Sequence, residues 1–180
     1  MFNDASRTCS FDVCQDCQVC CCQGARPPLS EDRVEKIKDH LKKKGIAVGQ
    51  PFEKRGYVYL ALDEVGFCVF YDKKTKRCKV HEVKPETCVA GPVTFDINCQ
   101  TKKLEWFLKT AEICAFAGKL YRNRERLAEH FKTARQQILE LINGLDGESL
   151  RAILKIEEPQ TFKIGEEPLA TDVAKKLNIE

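Results

Sequence analysis

The chain has no apolar run approaching the roughly 18 to 20 residues that a membrane-spanning helix requires. Its start, Met1 to Cys9, is polar and carries no hydrophobic segment of the secretory kind. These absences lead us to expect a cytoplasmic protein without a membrane partner. Charge of one sign is also scarce, since 30 basic residues against 27 acidic ones leave a net charge of +3. The two signs are interspersed, as in Arg122-Asn123-Arg124-Glu125-Arg126, so a nucleic-acid partner is not implied. A Gly-rich phosphate loop, a Ser/His/Asp arrangement and a paired-carboxylate signature are all missing, which argues against a conventional hydrolase and leaves no catalytic residue to name. Internal repeats and low-complexity tracts are absent too. With 180 residues, the chain has room for one ordinary domain with a real core.

Cysteine is what the sequence has in excess. There are 11, an odd number, in a chain expected to stay where thiols are kept reduced, so metal binding or redox chemistry outranks a disulfide framework. The densest stretch is Cys14-x2-Cys17-x2-Cys20, running on into Cys21 and Cys22. Thiolates at that spacing on a tight loop converge on a small volume, and the triple run matches the first three ligands of bacterial-type ferredoxin loops. The Cys-Pro fourth ligand of those loops does not follow, so a further thiolate must come from elsewhere. Cys68, Cys78 and Cys88, with nine residues between successive members, offer it, and Cys114 stands further on. Structural zinc usually uses two separated Cys-x2-Cys knuckles, which the second set lacks. The spacing therefore favours an iron–sulfur cluster, [4Fe–4S] in the first instance, with zinc as the alternative.

Individual positions divide by chemistry. Which of Cys20, Cys21 and Cys22 face a metal is open, because adjacent side chains point in different directions. Cys114, beside Ile113, Ala115 and Phe116, is read equally as a ligand and as a core cysteine. Cys9 and Cys99 read as spare thiols. His81 is a candidate nitrogen ligand to zinc that ranks behind the thiols, as does Cys22; a surface or outer-layer role suits His81 better. His40 and His130 fall on charged helix faces and are expected to be solvated. Lys84-Pro85 fixes the turn before Cys88, and Lys84 places a positive charge near the thiolates.

The pattern as a whole resembles the cysteine-cluster family described as zinc- or iron-chelating and often called YkgJ-like. Its Cys-x2-Cys-x2-Cys-Cys signature is met by Cys14, Cys17, Cys20 and Cys21. A second signature resembles Gly66-Phe67-Cys68-Val69-Phe70-Tyr71 followed by Cys78-Lys79-Val80-His81-Glu82-Val83-Lys84-Pro85-Glu86-Thr87-Cys88. The likeness spans about residues 9 to 118. Departures are the extra Cys22, Lys84 where the family usually has Arg, and His81 where it often has Tyr. The resemblance implies chelation and leaves the biological role undefined. A larger relative, the flagellin lysine methylase, carries a similar cluster, but no methyl-donor motif is present here. The expected ligands are thus Cys14, Cys17, Cys20, Cys21, Cys68, Cys78, Cys88 and Cys114, serving a redox, electron-transfer or cluster-dependent accessory role with a redox or other protein partner of unknown identity.

For the fold we expect an α+β domain over 1–156: a Cys-rich N-terminal loop, short β-hairpins and a long C-terminal amphipathic helix, followed by an extended arm at 157–180. Ser30 starts a helix that Gly45 stops. Strands are expected at Tyr57–Leu62 and Phe67–Tyr71, and a hairpin at Phe95–Ile97 and Leu104–Leu108. The 111–145 stretch carries Leu127, Phe131, Ala134, Ile138, Leu141 and Ile142 on one face, as one long helix or two broken near Arg122. A short helix at Ser149–Lys155 is expected next. Cys17→Ala is expected to abolish metal binding, read as the metal content of the purified variant.

Overall fold

A computed structural model describes residues 21–158 and 160–179. The first helix, α1 (Glu31–Lys44), begins where the sequence says. The Ser30 hydroxyl accepts the Arg33 N–H, Glu31 and Asp32 sit in the first turn, and Lys42, Lys43 and Lys44 sit in the last. Gly45 closes it with φ +62, a left-handed cap whose N–H turns back to the Leu41 and Lys42 carbonyls.

An antiparallel ribbon follows, β1 (Phe52–Arg55) with β2 (Tyr57–Leu60). Strand β1 escapes sequence reading because Glu53, Lys54 and Arg55 are all exposed and show no alternation. The strand expected at Phe67–Tyr71 is different in the structure. Phe67 and Cys68 make single bridges to Gln23 and Leu62, and the Tyr71 N–H then turns back to the Cys68 carbonyl. Only from Tyr71 does a ribbon run, β3 (Tyr71–Asp72) with β4 (Arg77–Cys78). A 3-10 turn at His81–Val83 leads to the five-residue helix α2 (Glu86–Ala90).

The larger sheet has the order β5–β6–β7, all antiparallel. Strands β5 (Val93–Asn98) and β6 (Lys103–Lys109) form the expected hairpin. The long amphipathic stretch is two helices, α3 (Ala115–Tyr121) and α4 (Arg124–Gly144), and Asn123 caps α4 by accepting the Arg126 N–H. Helix α5 (Gly147–Ile153) is capped by Asp146. The 157–180 segment, expected as an extended arm, supplies β7 (Thr161–Pro168) on the free side of β6 and then α6 (Thr171–Leu177). Its Gly165 and Pro168 read as breakers in sequence, but Gly165 faces a register shift between Trp106 and Phe107, and Pro168 ends an edge strand. Lys176 fastens α6 by donating to the Asn143 and Leu145 carbonyls at the end of α4, at 2.7 and 2.9 Å.

Two apolar clusters result. The sheet packs Val93, Ile97, Leu104, Trp106 and Leu108 against Ala134, Ile138, Leu141 and Ile142 of α4, with Val173 and Leu177 of α6 at one end. The Trp106 ring meets Phe131 edge-on at 5.4 Å between centroids. The second cluster is smaller and gathers Leu29, Ile37, Leu60, Cys68, Phe70 and Val80. These elements make the expected α+β fold. Among the described residues, no helix is long and apolar enough to cross a membrane.

Two histidines depart from expectation. His40 and His130, expected on solvated faces, are 9% and 3% exposed. Charges elsewhere on each turn hide this in the sequence, since helical spacing does not say which polar residue the neighbours cover. His130 is the more consequential. Its Nε2 lies 3.0 Å from the Ala90 carbonyl, an acceptor only, so Nε2 carries the proton and Nδ1 is bare. Burial pushes this imidazole below its ordinary value of 6.5, and Lys84 pushes the same way, against the backbone hydrogen bonds to Ala90 and Gly91. The unfolded chain therefore takes up the proton first as pH falls. His130's contribution to stability is complete above about pH 6.5 and is lost progressively below it. Chemical denaturation between about pH 7.5 and about pH 5.5 is expected to show a shallower acid loss for His130→Gln than for the parent chain.

Candidate metal centre

Among the described residues, backbone pairing brings the end of the first cysteine set, at Cys22, alongside Cys68 of the second. The stretch after the N-terminal run lies antiparallel to the second set's first strand-like segment. The Gly24 N–H reaches the Gly66 carbonyl at 2.7 Å, and the Cys68 N–H reaches the Cys22 carbonyl at 2.8 Å. The turn that makes this possible is held by Asp63, whose Oδ1 accepts the Val65 and Phe67 N–H groups at 3.1 and 2.8 Å. Gly66 occupies φ +85 there, a conformation open to glycine at little cost. From Cys68 the chain turns at once into β3, where Tyr71 pairs with Cys78 of β4. Asp72 closes the intervening turn by accepting the Lys74 and Thr75 N–H groups. The Lys79 N–H then bonds the Phe70 carbonyl at 2.8 Å, so Cys78 is held beside the segment that starts at Cys68. Lys84-Pro85 turns the chain into α2, which carries Cys88.

Burial raises these thiols, and charge on neighbouring sulfurs raises them further. Burial pushes Cys68 up to about 11, helped by Cys78 and Asp63 and opposed by a hydrogen bond from the Phe70 N–H. Burial also raises Cys78, with Cys21 adding to it, while the Val80 N–H and Lys84 pull it down. Cys88 is raised by the protein packed around it and then by Cys21, with Cys78 and Cys68 adding smaller pushes. Lys84 again acts in the lowering direction, as its place in the sequence leads one to expect. Cys88 is nonetheless exposed as a residue, although its thiol is crowded by the protein around it.

The candidate ligands are distributed as follows. Cys14, Cys17 and Cys20 lie outside the described residues, as does the spare Cys9. Cys21 is exposed, Cys22 is half-buried against the smaller cluster, Cys68 is buried and Cys78 is half-buried. Cys114 precedes α3 as its N-cap and packs against the larger cluster. His81, half-buried, is pushed down by burial and then by Lys84, which keeps the imidazole neutral and able to accept. Cys99 is exposed at the β5–β6 turn. Among the described residues, no three His, Cys, Asp or Glu side chains form a group that would hold an ion by themselves. What Cys21, Cys68, Cys78 and Cys88 do provide is a set of soft donors close enough to repel one another as anions. A cation relieves that repulsion, so the donor chemistry fits zinc or iron.

The sequence reading missed a polar network behind Cys88. Glu86 is 1% exposed, and its Oε1 accepts the Ser30 hydroxyl at 2.5 Å and lies 3.5 Å from Arg33 Nε. Ser30 was legible as a cap, but a second role across 56 positions leaves no mark in local spacing.

A family model described as "CxxCxxCC: Putative zinc- or iron-chelating domain" matches residues 13–115. The chain belongs to this family. The matched stretch holds every cysteine except Cys9 and stops just after Cys114. An uncharacterized protein of Methanocaldococcus jannaschii is 30% identical over 103 residues, which cover 53% of this chain and 54% of that one. The chain thus spans about half the length of this curated relative. No solved structure matches it. Membership of the CxxCxxCC family supports metal binding, with zinc and iron both within its description.

Because burial and mutual repulsion keep these thiols protonated near neutrality, each thiol that becomes a ligand must release a proton. Apparent zinc affinity of the metal-free protein is expected to rise with pH, by up to about tenfold per pH unit for each thiol deprotonated. Titration calorimetry in buffers of different ionisation enthalpy checks the proton count.

Proposed function

We propose that this CxxCxxCC protein holds an iron–sulfur cluster, [4Fe–4S] in the simplest form, through cysteine thiolates. The ligands in this reading come from Cys14, Cys17, Cys20 and Cys21 on one side and Cys68, Cys78 and Cys88 on the other. Cys114 follows, and Cys22 and His81 stand behind it. One observation carries the reading: the pairing of residues 22–24 with 66–68 delivers the end of the N-terminal cysteine run onto the second set. The triple x2 spacing of the run supports iron–sulfur over zinc. Such a cluster would supply one-electron chemistry, at a potential set by hydrogen bonds to sulfur and by solvent access. The chain's own contribution is to gather the thiolates and to set the Lys84 charge where it lowers Cys78 and Cys88. Its role would be redox, electron transfer or a cluster-dependent accessory step with a protein partner, in a reducing cytoplasm and without nucleic acid or membrane.

A zinc reading has its own support. The cluster around Cys68 contains six buried side chains among the described residues and rests on two-stranded ribbons, which are marginal alone. A structural metal contributes folding free energy in just such a case.

Metal and acid-labile sulfide analysis of anaerobically purified protein, read with its visible spectrum, separates the two. Iron with sulfide and a broad band near about 400 nm is expected. Zinc without sulfide or colour would overturn the cluster and leave a structural or metal-delivery module.

A further inference from the structure

Helix α2 is too short to hold itself in place. Its five residues make little more than one turn, its N-cap is Pro85, and no side chain caps it. A helix of this length is not stable alone, so its position is set by what grips it. Two grips are visible, one at each end. At the start, Glu86 is buried and takes the Ser30 hydroxyl at 2.5 Å, with Arg33 Nε 3.5 Å from the same oxygen. Arg33 also donates from Nη1 to the Lys84 carbonyl at 3.0 Å and from Nη2 to Gln137 Oε1 at 2.5 Å. One guanidinium therefore ties α1 to the residue before Pro85, to α2 and to α4. At the end, His130 of α4 donates from Nε2 to the Ala90 carbonyl at 3.0 Å.

Glu86 and Ala90 are four residues apart and so share one face of α2, and both are buried, at 1% and 0% exposure. Cys88, midway between them, falls on the opposite face and is exposed. Gripping the buried face at both ends fixes the direction in which the thiol is presented. A buried ion pair is seldom a strong source of net stability, and apolar residues of similar volume would fill the space as well. What these two side chains supply that an apolar filler would not is direction, through the oriented hydrogen bonds from Ser30 to Glu86 and from Arg33 to the Lys84 carbonyl and Gln137.

We propose that Glu86, held by Ser30 and Arg33, is a positioning residue for Cys88, presenting this thiol to the metal centre before any metal arrives. The proposal rests on the reading of Cys88 as a ligand. The test uses cobalt(II) as probe on the metal-free full chain, with affinity and thiolate-to-cobalt charge-transfer absorption as readouts. Glu86→Gln keeps the volume of the side chain and removes its charge. It is expected to weaken cobalt binding by about tenfold to a hundredfold, the range for residues that orient ligands. It should also reduce the charge-transfer band toward that of Cys88→Ser. Combined with Cys88→Ser, Glu86→Gln should cost nothing further, because its effect passes through that sulfur. Should Glu86→Gln fail to fold, Arg33→Lys retains the paired charge but loses the fork that reaches Lys84 and Gln137, and the same non-additivity is expected.

An equal loss with and without Cys88 would overturn the proposal and mark Glu86 as merely structural. Unchanged cobalt binding in Glu86→Gln would overturn it as well. A parent chain that takes up no cobalt, or a Cys88→Ser variant that binds as the parent does, would overturn the ligand reading and this proposal with it. Those two results are distinguishable from the first two by the parent and the single cysteine variant alone.

Discussion

Gathering several thiols that carry like charge once ionised is the constraint around which this fold is arranged. Left to itself, such a set pushes apart, and Cys68, Cys78 and Cys88, raised first by burial, are raised further by one another or by Cys21. Among the described residues, the chain opposes it chiefly with backbone hydrogen bonds. Antiparallel hydrogen bonds hold 22–24 against 66–68, and a tight turn and a two-residue ribbon hold 68 against 78. Backbone ties suit this task because their geometry does not change when a proton leaves or a cation enters. Among the described residues, Lys84 is a cation that lowers two of these thiols, Cys78 and Cys88.

The rest of the molecule can be understood as the foundation for that arrangement. Among the described residues, fifteen buried side chains form the cluster between the sheet and its helices, against six around Cys68. Each large apolar side chain fully buried contributes about 1.5–3 kcal/mol, so most of the stabilisation lies away from the thiols. The two halves are joined by polar groups at defined places. Arg33 links α1 to α4 through Gln137, and Ser149 of α5 donates to the Gly56 carbonyl in the β1–β2 turn. A stable half thus fixes the frame within which the weaker half is held.

Much of this was readable from sequence where the signal is local. The Ser30 and Gly45 boundaries of α1, the β5–β6 hairpin and the apolar stripe of α4 follow from capping and periodicity, and each forms as expected. The break near Arg122 was visible as an alternative, and Asn123 is the cap that decides it. Long-range pairing was not legible. Strand β1 is polar because it is a ribbon's outer strand, and β7 exists because β6 offers it a free edge. The burial of His130 depends on α2 and α3 closing over α4, with the Phe116 ring 5.3 Å from the imidazole. The two cysteine sets were identifiable one by one, but the register that joins them lies in bridges across more than forty positions.

The family match stops at residue 115, while the sheet it contains is finished by β7 and covered by α4, both of which come later. The portion that carries the chelating signature is therefore not the portion that can stand alone. Cut after Cys114, the chain would keep all 11 cysteines but lay bare the face that holds Leu104, Trp106 and Leu108. Signature and self-sufficiency are divided along this chain, so a domain drawn by likeness and a domain drawn by folding have different borders.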